Sequence, residues 1–175
     1  MKSDAAAAML IHPLFDASQT TAWSDLGCGT GTFTMALTRV LPHGSIIHAV
    51  DTDGSALKKI PDHNHQTEIK KYHADFVADA LPFQKLDGIL MANSFHYVKE
   101  KTVFVKKIEA YLKTPGCFLM IEYDTDKANR WVPYPLGFQS LQAFFFTCGY
   151  LSVIKLHERD SIFNQAKLYA ALIRK

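Results

Sequence analysis

Apolar residues along this chain change their period in turn, from the alternation of a strand to the spacing of a helix and back. Phe33, Ala36, Leu37, Val40 and Leu41 follow i, i+3, i+4, i+7, i+8, which predicts a helix ending at Pro42. SIIHAV, residues 45–50, then reads as a short buried strand that ends at Asp51. DTDGSALKKIP predicts a short helix capped near Asp53 and closed by Pro61, and EIKKYHAD, residues 68–75, a strand. LDGILMAN, residues 86–93, is a more apolar strand. Residues 99–113 place Phe104, Val105, Ile108, Tyr111 and Leu112 on one helical face with lysines opposite, before PGCFLMIEY resumes strand character. Phe138, Leu141, Phe144, Phe145 and Cys148 mark another helix, and YLSVIKLHER and AKLYAALIRK predict two final strands.

Strands that alternate with helices argue for an α/β fold, a Rossmann-like three-layer sandwich whose mostly parallel sheet is covered on both faces. Seven strands are expected. The last two have no helix between them, so they pair as an antiparallel C-terminal hairpin at one edge. Ligands of such sheets bind beyond the carboxyl ends of the strands, which points to the residues after Leu26, Val50, Tyr72, Ala92 and Ile121.

Composition narrows the setting. A length of 175 residues fits one domain, 1–175, with residues 1–21 as an N-terminal helical segment. Apolar residues make up 48% and charged residues 21%, ordinary for a soluble domain, and no run approaches the ~18 apolar residues of a membrane span. MKSDAAAAMLIHPLFD is expected to form a short amphipathic helix rather than a secretion signal, because Asp4 sits where such a signal is positive. Cys28, Cys117 and Cys148 are odd in number and far apart, the pattern of reduced thiols in a cytoplasmic protein. A net charge of +2 with scattered lysines lends no support to nucleic acid binding.

The chemistry concentrates in DLGCGTGTF, residues 25–33, where three glycines occupy five positions at a predicted strand-to-helix junction. Glycine is costly inside either element, so this loop is expected to bring bare backbone close to a ligand. A dinucleotide fingerprint G-x-G-x-x-G does not fit: the third glycine, Gly31, comes one place early and Thr32 follows it. Such spacing suits a nucleotide ligand without a pyrophosphate.

Four stretches in order resemble the class I S-adenosylmethionine-dependent methyltransferases. DLGCGTG looks like the family's first motif, whose glycines pass against the methionyl part of the cofactor, and HAVDTD ends in Asp51, where the family carries the acid that holds the ribose hydroxyls. HADFVADALPF is similar to the third motif, with Asp75 and Phe76 at the adenine, and LDGILMANSFHYV to the fourth, whose end faces the transferred methyl group. The resemblance implies S-adenosyl-L-methionine as cofactor, held by Asp25, Gly27, Cys28, Gly29, Gly31, Asp51, Thr52, Asp75, Phe76 and Asn93. A carboxylate that accepts from two vicinal hydroxyls and apolar side chains that sandwich a purine give this assignment a physical basis.

Other readings stay open beside it. Asp25 orders the glycine loop and the cofactor's amino group, or is purely structural; Asp53 is more simply a helix cap; Asp79 competes with Asp75 as the adenine partner. His63, His65 and His73 lack a third ligand at zinc-like spacing, so no metal is expected. His96 and Asp124 are the candidates for a general base should the acceptor need to lose a proton, with a backbone-bonding role the alternative for His96. Arg130, Trp131 and Tyr134 either line the acceptor pocket or cover a core edge.

The implied function is methyl transfer from S-adenosylmethionine to an unidentified acceptor. ANSFHY at the end of the fourth strand lacks the acidic or asparagine residue followed by two prolines seen in family members that methylate exocyclic amines of bases, and the LPF and SFHY stretches are similar to those of the family's small-molecule branches, which favours a small molecule. Only about 20 residues precede the first strand, so the cleft is expected to be open, to be completed by a homodimer partner or a macromolecular acceptor. The rival classes are a catalytically silent cofactor-binding subunit and, disfavoured by the glycine spacing, an NAD-dependent oxidoreductase.

Overall fold

The computed structural model describes residues 3–15, 19–160 and 166–175. Its sheet takes the strands β1 (Ala22–Leu26), β2 (Ile46–Asp51), β3 (His63–Asn64), β4 (Thr67–His73), β5 (Leu86–Ala92), β6 (Leu112–Tyr123), β7 (Ser152–Asp160) and β8 (Lys167–Arg174) in the order β3-β4-β2-β1-β5-β6-β8-β7. β4, β2, β1, β5 and β6 run parallel, and β8 and β7 close one edge antiparallel. The connection between β7 and β8, residues 161–165, and residues 1, 2 and 16–18 of the expected N-terminal helical segment lie outside the described residues.

The sheet has eight strands instead of seven. The addition is β3, which pairs antiparallel with β4 through a turn at His65 and Gln66, both with positive φ. HNHQ carries no apolar alternation, and nothing in its pattern marks a strand. The helix expected over 99–113 is shorter: α4 spans Lys101–Glu109, and Leu112 instead opens β6 by pairing with Leu86.

The helices are α1 (Ser3–Ala8), α2 (Thr32–Leu37), α3 (Gly54–Leu57), α4 and α5 (Phe138–Thr147). On one sheet face α1 and α2 bury Ala6, Phe33 and Leu37 against Trp23, Leu90 and Leu119. On the other, α4 and α5 bury Phe104, Ile108, Leu141 and Phe145 against Ile89, Phe118 and Met120. Central strands buried on both faces read as the nearly continuous apolar runs seen in β5 and β6. Among the described residues no helix is long and apolar enough to cross a membrane.

Strand order reverses between β1 and β5, because the chain leaves β1 toward β2 on one side and returns to β5 on the other. At that reversal the two connecting loops part and leave a crevice at the carboxyl edge of the sheet. Leu26 and Ala92 end the two strands there.

Candidate active site

The crevice is an open cleft of about 450 Å3 lined by Gly27, Asp51, Thr52, Asp75, Phe76, Val77, Asn93, Ser94 and Tyr97. Six of the residues expected at the cofactor are therefore brought together: Gly27, Asp51, Thr52, Asp75, Phe76 and Asn93. Val77 gave no signal in the sequence beyond adjacency to Asp75 and Phe76.

The glycine loop is tied to the end of β2. The amides of Gly27 and Cys28 donate to the Val50 carbonyl at 2.8 and 3.1 Å, and the Gly29 amide donates to Asp51 Oδ2 at 2.7 Å. Asp51 Oδ1 accepts from the Asp53 amide at 2.9 Å. Each carboxylate oxygen accepts more than one hydrogen bond, so Asp51 retains acceptor capacity toward the cleft it lines.

Glycine is required in this loop for two distinct reasons. At Gly27, with φ +79°, a Cβ would lie 2.5 Å from the Cβ of Ser94 and 3.3 Å from the Phe76 ring, so the chain's own packing forbids a side chain. At Gly29, with φ +53°, a Cβ would meet nothing within 4 Å. Bare backbone facing open space at the tip of the loop is what a close-approaching ligand needs.

Asp25 and Cys28 lie beneath the loop instead of on the cleft wall. The Asp25 carboxyl is sealed; Thr34 Oγ1 donates to its Oδ2 at 2.6 Å, while Oδ1 has no hydrogen-bond partner among the described residues. Burial pushes its pKa to about 7, the Thr34 hydrogen bond pulling down and the Asp51 charge adding to the rise. The Cys28 side chain packs with Ala49, Leu57 and Ile60, and burial, with the charges of Asp25 and Asp51, pushes the thiol far above its ordinary range. Any part Cys28 plays at a ligand is thus through its backbone. Gly31, left-handed at φ 84°, starts α2.

At the other wall Asp75 Oδ1 accepts from the amides of Val77 and Ala78 at 2.8 and 3.2 Å, and Asp79 Oδ2 accepts from the Asp75 amide at 2.8 Å. The two aspartates thus share one turn, with only Asp75 lining the cleft. Asp53 caps α3, accepting from the amides of Ser55 and Ala56. Asn93 holds a left-handed φ of 55°, and its Oδ1 is buried without a partner among the described residues. Ser94 Oγ donates to the Leu26 carbonyl at 2.6 Å and so joins the ends of β1 and β5.

The two candidate bases part company. Asp124 does not line the cleft; its Oδ1 accepts from the Phe138 amide at 2.8 Å at the start of α5, and its Oδ2 pairs with Lys155 at 3.2 Å. Both oxygens have structural partners, which corrects the expectation of a catalytic role. His96 sits between the cleft residues Ser94 and Tyr97, 3% exposed, with Nδ1 2.6 Å from Oε2 of Glu122. Sequence reasoning missed Glu122. Its signal was an acid inside the buried run Cys117–Glu122 of β6.

His73 Nε2 lies 2.8 Å from the Thr52 carbonyl, and among the described residues no cluster of three or more His, Cys, Asp or Glu side chains is placed to hold a metal. Beyond β6, Trp131 is 73% exposed with the Arg130 guanidinium 5.5 Å from its ring. Tyr134 donates its amide to the His96 carbonyl at 3.0 Å. Lys101 Nζ, which burial brings down to about 8 despite the Glu122 charge, donates to the carbonyls of Val98 and Tyr134.

Known proteins match this arrangement. The uncharacterized methyltransferase Rv0089 of Mycobacterium tuberculosis is 27% identical over 97 residues, 55% of this chain and 47% of that protein. The chain spans about half the length of the curated relatives it matches. The fold is that of a SAM-dependent methyltransferase from Aquifex aeolicus, with a TM-score of 0.66 at 13% identity over 92% of this chain and 85% of that one. It is also that of the 1,6-didemethyltoxoflavin-N1-methyltransferase of Burkholderia thailandensis, solved with its substrate and S-adenosylhomocysteine; there the TM-score is 0.70 at 15% identity, over 99% and 78% of the two chains. Residues 24–118 match the family described as a methyltransferase domain, a stretch that runs from inside β1 into β6 and contains every residue lining the cleft, and the chain belongs to that family.

Proposed function

We propose that this protein is an S-adenosylmethionine-dependent methyltransferase acting on a small molecule. The observation that carries the reading is the juxtaposition, across one cleft, of the Asp51 carboxylate at the end of β2, the bare Gly29 backbone and the Asp75–Phe76 turn. Asp51 would accept from the ribose hydroxyls, with Thr52 beside it, and Phe76 would pack on the adenine. The main chain of Gly27, Cys28, Gly29 and Gly31 would flank the methionyl part. The sealed, half-satisfied carboxyl of Asp25 fits a role beneath it, ordering the loop. Asn93 stands at the β5 end of the cleft with an unpartnered amide oxygen, a free acceptor for a donor group.

The bound cofactor would supply an activated methyl on a good leaving group. The chain's task is then to align the acceptor and exclude water. A small acceptor is supported by the ANSFHY strand end, which lacks the paired prolines of the base-amine methylating members, and by the similarly folded methyltransferase solved with 1,6-didemethyltoxoflavin bound.

Titration calorimetry with S-adenosylhomocysteine, S-adenosylmethionine and NAD tests the reading. One-site binding of the first two and none of NAD is expected. Binding of NAD alone, or of none of the three, would refute it, and cofactor binding without transfer to any acceptor would leave a silent binding subunit.

A further inference from the structure

His96 and Glu122 form a buried ionisable pair that cofactor binding leaves unexplained. Their side chains are 3% and 4% exposed, with Nδ1 and Oε2 2.6 Å apart. Burying a carboxylate costs several kcal/mol unless its oxygens are satisfied, as they are here. Oε1 accepts from the amides of Phe95 at 2.8 Å and His96 at 3.3 Å, and Oε2 faces the imidazole. A carboxylate held by donors is an acceptor, so the proton between the pair belongs to Nδ1. In the neutral imidazole the lone pair is therefore on Nε2.

Nε2 has no hydrogen-bond partner among the described residues and is not sealed, so the small accessible part of the ring includes it. Ser94 and Tyr97, on either side of His96, line the cleft. Titratable and charged groups around the pair come from its own turn and strand and from three further places. They are Tyr97 in the same turn, Tyr123 on β6, Lys101 on α4, Tyr169 on β8 opposite Glu122, and Tyr134 in the loop after β6.

We propose that His96 Nε2 takes the proton of a hydroxyl or N–H methyl acceptor, and that Glu122 is the positioning residue that fixes the tautomer for it. The inference rests on the methyltransferase reading and adds the acceptor's class: a protic nucleophile that must lose its proton, in contrast to a thioether or a carboxylate. The acceptor's O–H or N–H bond breaks and its proton goes to Nε2. The electron pair so strengthened forms the new bond to carbon, while the pair of the broken carbon–sulfur bond stays on sulfur. Glu122 stabilises the resulting imidazolium.

The tautomer is read directly by 15N NMR of the histidine-labelled protein at pH 8. Expected is a lone-pair Nε2 and a protonated Nδ1 for His96. In Glu122→Gln the side-chain carbonyl still accepts from the two amides while its NH2 group faces Nδ1, so the proton should move to Nε2. Methyl transfer from labelled S-adenosylmethionine is then measured against phenols, alcohols, N–H heterocycles and thioethers. Wild type should transfer to protic acceptors; Glu122→Gln and His96→Gln should lose about 100-fold or more in kcat with KM and S-adenosylhomocysteine affinity within twofold.

A protonated Nε2 in wild type, transfer confined to thioethers, no transfer to any protic acceptor, or equal turnover in the variants would overturn the proposal. Should Glu122→Gln fail to fold, the wild-type tautomer and His96→Gln still decide it. Loss of S-adenosylhomocysteine binding in wild type would instead strike the methyltransferase reading beneath it, an outcome distinct from all of these.

Discussion

Asp51 Oδ2 accepts a hydrogen bond from the Gly29 amide at 2.7 Å, so the residue proposed to bind the ribose also holds the loop proposed to pass the methionyl group. Replacing it removes both. Asp51→Ala should weaken S-adenosylhomocysteine binding by about 1.5–3 kcal/mol, the scale of hydrogen bonds to a charged group, with the sheet intact. Calorimetry with circular dichroism checks this, and unchanged affinity would take Asp51 out of the site.

Gly27 and Gly29 should respond differently to alanine. Gly27→Ala forces a Cβ against Ser94 in a left-handed conformation and should cost about 3 kcal/mol of stability. Gly29→Ala pays only the conformational term, about 1–2 kcal/mol, because its Cβ enters open space. That space is the one proposed for the cofactor, so Gly29→Ala should lose more cofactor affinity than stability. Urea denaturation and cofactor titration of both variants decide the matter.

Asp25 makes stability depend on pH in a direction opposite to that of a paired carboxylate. Its pKa rises on folding from 3.8 to about 7, so the native state binds more protons than the unfolded state between these values. Stability from this group is fully present below pH 3.8 and is lost as pH rises through 7. Asp25→Asn removes the loss, so its stability relative to wild type should improve by about 2 kcal/mol from pH 5 to pH 8. Denaturant melts without ligand at the two pH values measure it; a constant difference would show that Asp25 does not titrate there.

Lys101 tethers the loop after β6 through its bonds to Val98 and Tyr134. It is half-buried, which reduces the worth of these bonds, and Lys101→Met should cost about 1 kcal/mol. Faster proteolytic cleavage between 124 and 137 should accompany it, and an unchanged cleavage rate would mean the tether is idle.

The layers of the fold were legible because apolar period is set by local geometry: α2 follows the glycines, β2 ends at Asp51, and β7 and β8 pair antiparallel at one edge. What escaped depended on distant partners. Tyr111 and Leu112 fit the helical period of α4, yet Leu112 leaves it to pair with Leu86. At the site, Asp51 and the glycines stood out because backbone exposure and strand ends carry their own chemistry. The fates of Asp124 and Glu122, two positions apart, were set by where β6 ends. One emerges to cap α5, and the other stays buried under His96.

The bond from Ser94 to the Leu26 carbonyl rivets the two halves of the sheet together directly under the crevice. The floor of the cleft is thus tied across the strand reversal, while Val77 and Tyr97 stand exposed at its rim, the side chains that the proposed cofactor would pass on entering.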